Sequence, residues 1–299
     1  MGTDLQEALL RWSAATFRDL PWRRTRDPWA VVVSEFMLQQ TQVARVVPRY
    51  EAFLARFPTP TACAAAPLAA VIRAWAGLGY NRRAVNLHRL AAAVVARHGG
   101  ELPGDLEALV ALPGVGPYTA RAVLAFAFEV DVGVVDVNAA RVLARATGRS
   151  LAAREVQQRA DDLVPAGRGW SWNQAVLDLG ATVCTRRAPK CAGCPVAAWC
   201  GWRLGSPASA AGRADRGDDR GDDPADRSAG TGRTQSTFAG SDRQGRGRLV
   251  DALRRSPVPW DEVAAAAGWP GDPARAGRIA ASLVADGLAT ADGACLRLS

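Results

Sequence analysis

The chain has 299 residues, 48% of them hydrophobic, and a formal net charge of +8, with Lys190 as its single lysine. That length is comfortable for two domains and buries a core without disulfide staples. No run of about 18 apolar residues occurs, so no membrane span is expected. "MGTDLQEALLRW" lacks the apolar core of a secretory signal, which makes the cytoplasm (nucleoid-associated), with reduced cysteines, the expected compartment. The positive excess lies wholly before residue 205 and the remainder balances. A basic region of this kind points to a polyanionic partner, most simply nucleic acid.

From residue 5 to 204 the pattern reads as helix after helix. Apolar positions recur at three- and four-residue spacing in 29–57, 67–75, 83–98, 105–111, 117–128 and 138–147. Pro and Gly punctuate them at "FPTP" (57–60), "GLGY" (77–80) and "HGGELPGD" (98–105), and "VDVGVVDV" (130–137) is expected to be a connector rather than a strand. In "LPGVGPYTA" (112–120), Gly114 and Gly116 permit a tight bend and close backbone approach. The helix beginning near Pro117 presents unpaired N–H groups and a positive dipole end. Such a turn is able to hold a phosphate oxygen without reading sequence, although an ordinary helix–helix turn would look the same.

"CTRRAPKCAGCPVAAWC" places Cys184, Cys191, Cys194 and Cys200 at C-x6-C-x2-C-x5-C spacing. Four thiolates this close are able to converge on one metal centre. Zinc is one reading, but only one C-x2-C hook is present; a 4Fe–4S cluster is the other, and the spacing favours it. Residues 205–241, rich in Gly, Asp, Arg and Ser, are expected to be a disordered linker between a first domain, 1–204, and a small domain, 242–299. The latter reads as three helices and a hairpin. Gly268 ends the second helix, Asp272 caps the third with Pro273 in its first turn, and Asp292-Gly293 form a two-residue turn. That order is winged-helix-like.

The runs "LPGVGPYTARAV" and "VVDVNAARVLAR" and the cysteine tail together resemble the helix-hairpin-helix DNA glycosylase superfamily with an iron–sulfur loop, over roughly residues 5–204. "SEFMLQQTQV" (34–43), "GLGYNRRAVNL" (77–87), "LPWR" (20–23) and "NQAVLDLGATVC" (173–184) are similar to its adenine glycosylase branch. The resemblance implies a mainly α fold of two helical subdomains with a cleft, and a 4Fe–4S cluster on the four cysteines. The implied substrate is double-stranded DNA with adenine opposite 8-oxoguanine or guanine, acted on by a monomer.

By the same resemblance, Glu35 is the acid that protonates adenine N7, and Asp136 stabilises the sugar cation. Asn138 and Tyr118 position Asp136 and the attacking group. Gly114, Val115 and Gly116 grip phosphate, Gln40 and Tyr80 wedge the duplex near the mispaired partner, and Thr41 contacts that partner's edge. Arg18, Trp22 and Asp178 form the adenine pocket. Tyr118 stands where the lyase branch keeps a lysine, which implies hydrolysis without strand cleavage, since Schiff-base chemistry needs an amine. Two other functions are consistent with parts of the sequence: a thymine or uracil mismatch glycosylase, and a non-catalytic lesion-sensing DNA-binding protein. The Nudix-like domain usual in this branch is absent from residues 242–299, where Arg275 and Arg278 are candidates for DNA contact and a capping or protein-binding module is the alternative.

Overall fold

The structure is a computed structural model that describes residues 3–205, 223–232 and 237–299. In chain order its helices are α1 (Thr3–Ala15), α2 (Pro28–Leu38), α3 (Val43–Arg56), α4 (Pro60–Ala65), α5 (Leu68–Ala74), α6 (Arg82–His98), α7 (Leu106–Val110), α8 (Pro117–Phe126), α9 (Val137–Thr147), α10 (Ala153–Asp162), α11 (Gly169–Thr182), α12 (Gly201–Leu204), α13 (Asp242–Leu253), α14 (Val263–Ala267) and α15 (Pro273–Ala285). The strands are β1 (Val258–Pro259), β2 (Ala289–Ala291) and β3 (Cys295–Leu298). The fold is mainly α, as the sequence predicts, and the connector 130–136 carries no helix or strand. The chain divides into two compact units, one of Met1–Arg26 with Pro117–Thr234, the other of Asp27–Gly116 with Gln235–Ser299.

In the first unit α11 packs against both α1 and α9. Leu9, Val142, Trp172, Val176 and Leu179 share one core there, with Val196 from the cysteine loop. Burial of this apolar surface is the main stabilising term, at about 25 cal/mol per Å². The expected linker 205–241 lies partly outside the described residues, but 223–232 corrects it. A 3₁₀ turn, Pro224–Arg227, docks on α9, with Ala225 buried and the Ser228 hydroxyl accepting from the Leu151 amide at 2.9 Å. The cause is Arg145, a buried cation on α9 whose carboxylate partner is Asp223 at 2.6 Å. A buried charge needs such a partner.

In the second unit every residue of α2 from Trp29 to Met37 is buried, so this helix is central rather than amphipathic. The apolar run 29–57 is two helices, not one. Gln40 adopts φ +56°, which no helix continues, and α3 starts afresh at Val43.

Residues 242–299, expected to stand as a separate small domain, belong to the same compact unit as 27–116 and hold three helices and three short strands in the order α13-β1-α14-α15-β2-β3. Asp272 accepts from the Arg275 amide as N-cap, and Gly268 ends α14 at φ +84°. Two details differ from the sequence reading. The two-residue β1 joins the sheet, giving strand order β1-β3-β2, all antiparallel. The hairpin turn centres on Gly293-Ala294, since Ala291 pairs with Leu296 and the Asp292 amide donates to Cys295 O. Asp292 instead accepts from the Ala294 and Cys295 amides at 2.9 and 2.8 Å, an Asx turn that moves the bend on by one residue.

Candidate functional site

Glu35 sits in the middle of α2 and is 5% exposed, flanked by Ser34 and Phe36, both buried. The helix ends at two short loops, 39–42 and 77–81, that carry the expected mispair-facing residues. Gln40 (φ +56°) and Tyr80 (φ +45°) are exposed and left-handed, a conformation that costs a non-glycine residue about 1–2 kcal/mol. Thr41 Oγ1 donates to Leu78 O at 3.2 Å and ties the two loops together.

Arg83, from the first turn of α6, supplies most of the hold. Its Nη1 donates to the carbonyls of Phe36, Met37 and Gln39 at 2.6, 2.9 and 2.7 Å. Nη2 reaches Thr41 Oγ1, Leu78 O and Gly79 O at 3.0, 3.3 and 3.0 Å, and Nε reaches Tyr80 O at 3.3 Å. The guanidinium therefore caps α2 and staples both loops to it. Burial lowers its pKa to about 10. Sequence reading missed this residue, although "NRR" straight after "GLGY" was its only local trace.

In the 112–116 turn, Gly114 takes φ +77°, and a Cβ there would lie 2.8 Å from Asn86 Cβ. Conformation and packing both demand glycine. Gly116 does not have positive φ, and a Cβ there meets nothing within 4 Å. Val115 is buried, so only its backbone is available to a ligand. Pro117 opens α8, whose second residue is the half-buried Tyr118.

Asp136 is the N-cap of α9. Its Oδ1 accepts from the amides of Asn138 and Ala139 at 2.8 and 2.7 Å, and its Oδ2 from Asn138 Nδ2 at 2.8 Å. Burial raises its pKa, and these donors, with Arg141, hold back part of the rise. Asn138 Oδ1 accepts from Arg141 Nη2 at 2.7 Å, so the amide orientation is fixed from behind. Gly180 of α11 leaves room for this group: a Cβ there would stand 2.7 Å from Asn138 Cβ.

Arg18 and Asp178 pair in the first unit, where Trp22 is buried in the Pro21–Arg23 turn, but Asp178 is chiefly the partner of a residue the sequence reading did not single out. Arg23 clamps it with two bonds, Nη1 to Oδ2 at 2.7 Å and Nη2 to Oδ1 at 2.8 Å, and Arg18 adds a longer one at 3.2 Å. Arg23 and Asp178 are 4% and 3% exposed at their side chains, while Arg18 is 33% exposed. Arg23 Nε is buried with no hydrogen-bond partner among the described residues.

Cys184, Cys191, Cys194 and Cys200 all line one partly open pocket, with Arg145, Lys190, Trp202 and Arg203 also on its wall. Among the described residues no group of three or more His, Cys, Asp or Glu is placed to hold a metal ion. Arg145 Nη1 stands 3.4 Å from Cys184 Sγ, and Arg203 Nη1 donates to Cys191 O at 3.1 Å. Burial, reinforced by the neighbouring thiols, pushes Cys194 up to about 11; burial also raises Cys200. Among the described residues no helix is long and apolar enough to cross a membrane.

Residues 33–166 match the family described as HhH-GPD superfamily base excision DNA repair protein. The chain is 42% identical over 293 residues to an adenine DNA glycosylase of Mycolicibacterium smegmatis, an alignment spanning 95% of this chain and 93% of that protein. Among solved structures it resembles a thermostable thymine-DNA glycosylase, with TM-score 0.63 and 29% identity, covering 67% of this chain and 95% of that one. It also resembles endonuclease III in a non-covalent complex with DNA, with TM-score 0.58 and 26% identity, covering 69% and 100%. Fold, motifs and relatives agree: the chain belongs to the adenine DNA glycosylases, helix-hairpin-helix enzymes of base excision repair.

Proposed function

We propose that this chain hydrolyses the N-glycosidic bond of adenine paired with 8-oxoguanine or guanine in double-stranded DNA. Two carboxyl groups in contrasting surroundings carry the reading. Glu35 is buried in the apolar centre of α2, and Asp136 is held rigidly by three hydrogen bonds. Burial favours the protonated form of a carboxyl, which suits Glu35 to donate a proton to adenine N7. The C1′–N9 bond then breaks, and its electron pair leaves with the base. Asp136, whose donors favour the charged form, stabilises the cation at C1′ until water adds there and gives up a proton. Asn138 positions Asp136. The base reaches these groups only outside the stack, so Gln40 and Tyr80 act at the gap and Thr41 at the edge of the partner base. The 114–116 turn binds phosphate, and Arg18, Trp22 and Asp178 serve the adenine pocket, with Arg23 fixing Asp178.

The donor chemistry and the C-x6-C-x2-C-x5-C spacing favour a 4Fe–4S cluster over zinc at the four cysteines. Zinc needs four donors at about 2.3 Å from one point, whereas in a cluster each of four irons takes one thiolate. All four cysteines line one pocket here, as a shared cluster requires. Cys184, Cys191, Cys194 and Cys200 would hold it. Bound there, the cluster would supply a rigid cross-link of the loop and a site for one-electron chemistry.

Single-turnover assays on duplexes holding A:8-oxoG, A:G, T:G and U:G test the function. Adenine release from the first two only, lost in Glu35→Gln with DNA binding retained, is the expected result. Release of thymine or uracil would favour the mismatch glycosylase, and release of no base the lesion sensor. Iron analysis should give about four irons per chain; one zinc and no iron would overturn the cluster.

A further inference from the structure

Loop 77–81 is left-handed at three of its five residues, and at Tyr80 that conformation is costly. Gly77, Gly79 and Tyr80 all have positive φ, at +84°, +69° and +45°. Arg83 and Trp75, whose Nε1 donates to Gly79 O at 3.3 Å, hold it from its own helical framework. A second set of contacts comes from the winged-helix segment of the same compact unit. Arg254, at the C-terminal end of α13, places Nη2 2.8 Å from Asn81 Oδ1 and Nε 3.1 Å from Ile72 O. Its Nη1 pairs with Asp251, and its carbonyl accepts from Arg73 Nε at 3.2 Å. The side chain is only 10% exposed, so this is an embedded bridge rather than a surface ion pair. Arg243, near the start of α13, donates to the Tyr80 hydroxyl at 3.3 Å. Arg82 pairs with Asp286 at 3.2 Å on the far side.

The winged helix therefore grips the loop at both of its last two residues. Its third helix, by contrast, spends Arg275 internally: the guanidinium pairs with Asp242 at 2.6 Å and lies 3.8 Å from the Trp269 ring centroid. Residues 242–299 thus direct basic side chains at the loop, while the net charge of the chain beyond residue 204 is balanced. We propose that the C-terminal domain is a brace for loop 77–81 that sets discrimination between bases opposite adenine, with Arg254 and Arg243 as positioning residues. The inference rests on the proposed adenine glycosylase function, because it takes Tyr80 to act beside the partner base. A loop that reads a partner by shape must keep its conformation before DNA arrives, and ordering it on binding would cost affinity and selectivity. Removing the brace should leave the chemistry of Glu35 and Asp136 intact and lower only the preference for one partner over another.

The test uses the full chain carrying Arg254→Met or Arg243→Met. Single-turnover rates are taken on A:8-oxoG and A:G duplexes, and hydrogen exchange of amides 77–82 is measured without DNA. Arg254→Met should lower the 8-oxoguanine-to-guanine rate ratio about tenfold, the scale of one hydrogen bond to a charged group. The A:G rate should stay within about twofold, with exchange at 77–82 about tenfold faster. A parallel fall on both duplexes, an unchanged ratio or unchanged exchange would overturn the brace. If Arg254→Met does not fold, Arg243→Met and Tyr80→Phe decide. Each should lower the ratio by a few-fold and the double variant no further; additive losses or no loss would refute the coupling. A wild-type protein that releases no adenine from any duplex sinks the proposed function, while the exchange measurement still judges the brace.

Discussion

Arg83 offers the sharpest test of how α2 and its two loops are held. Its three nitrogens donate to six backbone carbonyls and one hydroxyl, and the residue is 7% exposed. Arg83→Met keeps much of the stem's packing against Trp75 and Tyr80, over whose rings the guanidinium lies at 5.4 and 5.6 Å, and removes only the donors. Each buried carbonyl left without a partner costs about 1–3 kcal/mol. The carbonyls nearest the loops regain water, so the sum is not additive; a loss of about 4 kcal/mol matches the range for breaking a buried charged network. That is a large share of a typical folding free energy of about 5–15 kcal/mol. Urea unfolding of the two proteins measures it directly. Arg83→Lys keeps the cation but not the planar fork, and should lose about half as much. A loss below about 1 kcal/mol for the methionine variant, or a lysine variant as stable as wild type, would refute the idea that this guanidinium carries the loops.

Asp136→Asn should abolish adenine release and also change how stability depends on pH. A carboxyl whose folded pKa is raised makes the native state bind more protons than the unfolded state, so its contribution falls as pH rises from the unfolded pKa through the folded one. The variant should therefore gain stability relative to wild type as pH rises above about 4, and parallel curves from pH 3 upward would contradict the burial argument. Asp178→Ala should destabilise the protein by about 3–5 kcal/mol, because it strands the buried Arg23 guanidinium; a purely local loss of adenine binding with wild-type stability would show that the clamp is dispensable. Product DNA should carry an intact abasic site that breaks only in hot alkali, since Tyr118 offers no amine. Borohydride trapping by wild-type protein with a blocked N-terminus would disprove this.

What the sequence made legible was local. The cap at Asp272, the turn at Gly114 and the cysteine spacing all act within a few residues, where backbone conformation and side-chain chemistry decide the outcome. The three helices and hairpin of residues 242–299 were legible for the same reason, apart from a two-residue strand containing Pro259 too short to show any alternation. The roles of Arg83, Arg23 and Asp223 were not legible. In a chain whose basic residues are almost all arginine, nothing local separates a solvated guanidinium from one that caps a helix forty residues away. Arg145 drew residues 223–232 out of a segment whose composition has no core of its own, because one buried cation outweighs the polarity of its surroundings. Gln40 broke an apolar run that periodicity alone would have continued.

The division of the chain into interleaved units has a consequence for how it is made. Leu9 shares its core with Trp172 and Leu179, and Arg23 waits for Asp178, 155 residues downstream. At about 5–20 residues per second, the ribosome takes on the order of 8–30 s to deliver that partner. During this interval α11, on which α1 packs, is not yet complete, whereas the helices between Asp27 and Gly116 already contain much of their own core, including the Phe53–Phe57 and Phe53–Trp75 ring contacts. The middle of the sequence is thus equipped to fold first and the N-terminus must be recruited late, a high-contact-order step. Residues 242–299 emerge well after the helices between Asp27 and Gly116, so the contacts of Arg254 and Arg243 with residues 80 and 81 form on a framework that is already made.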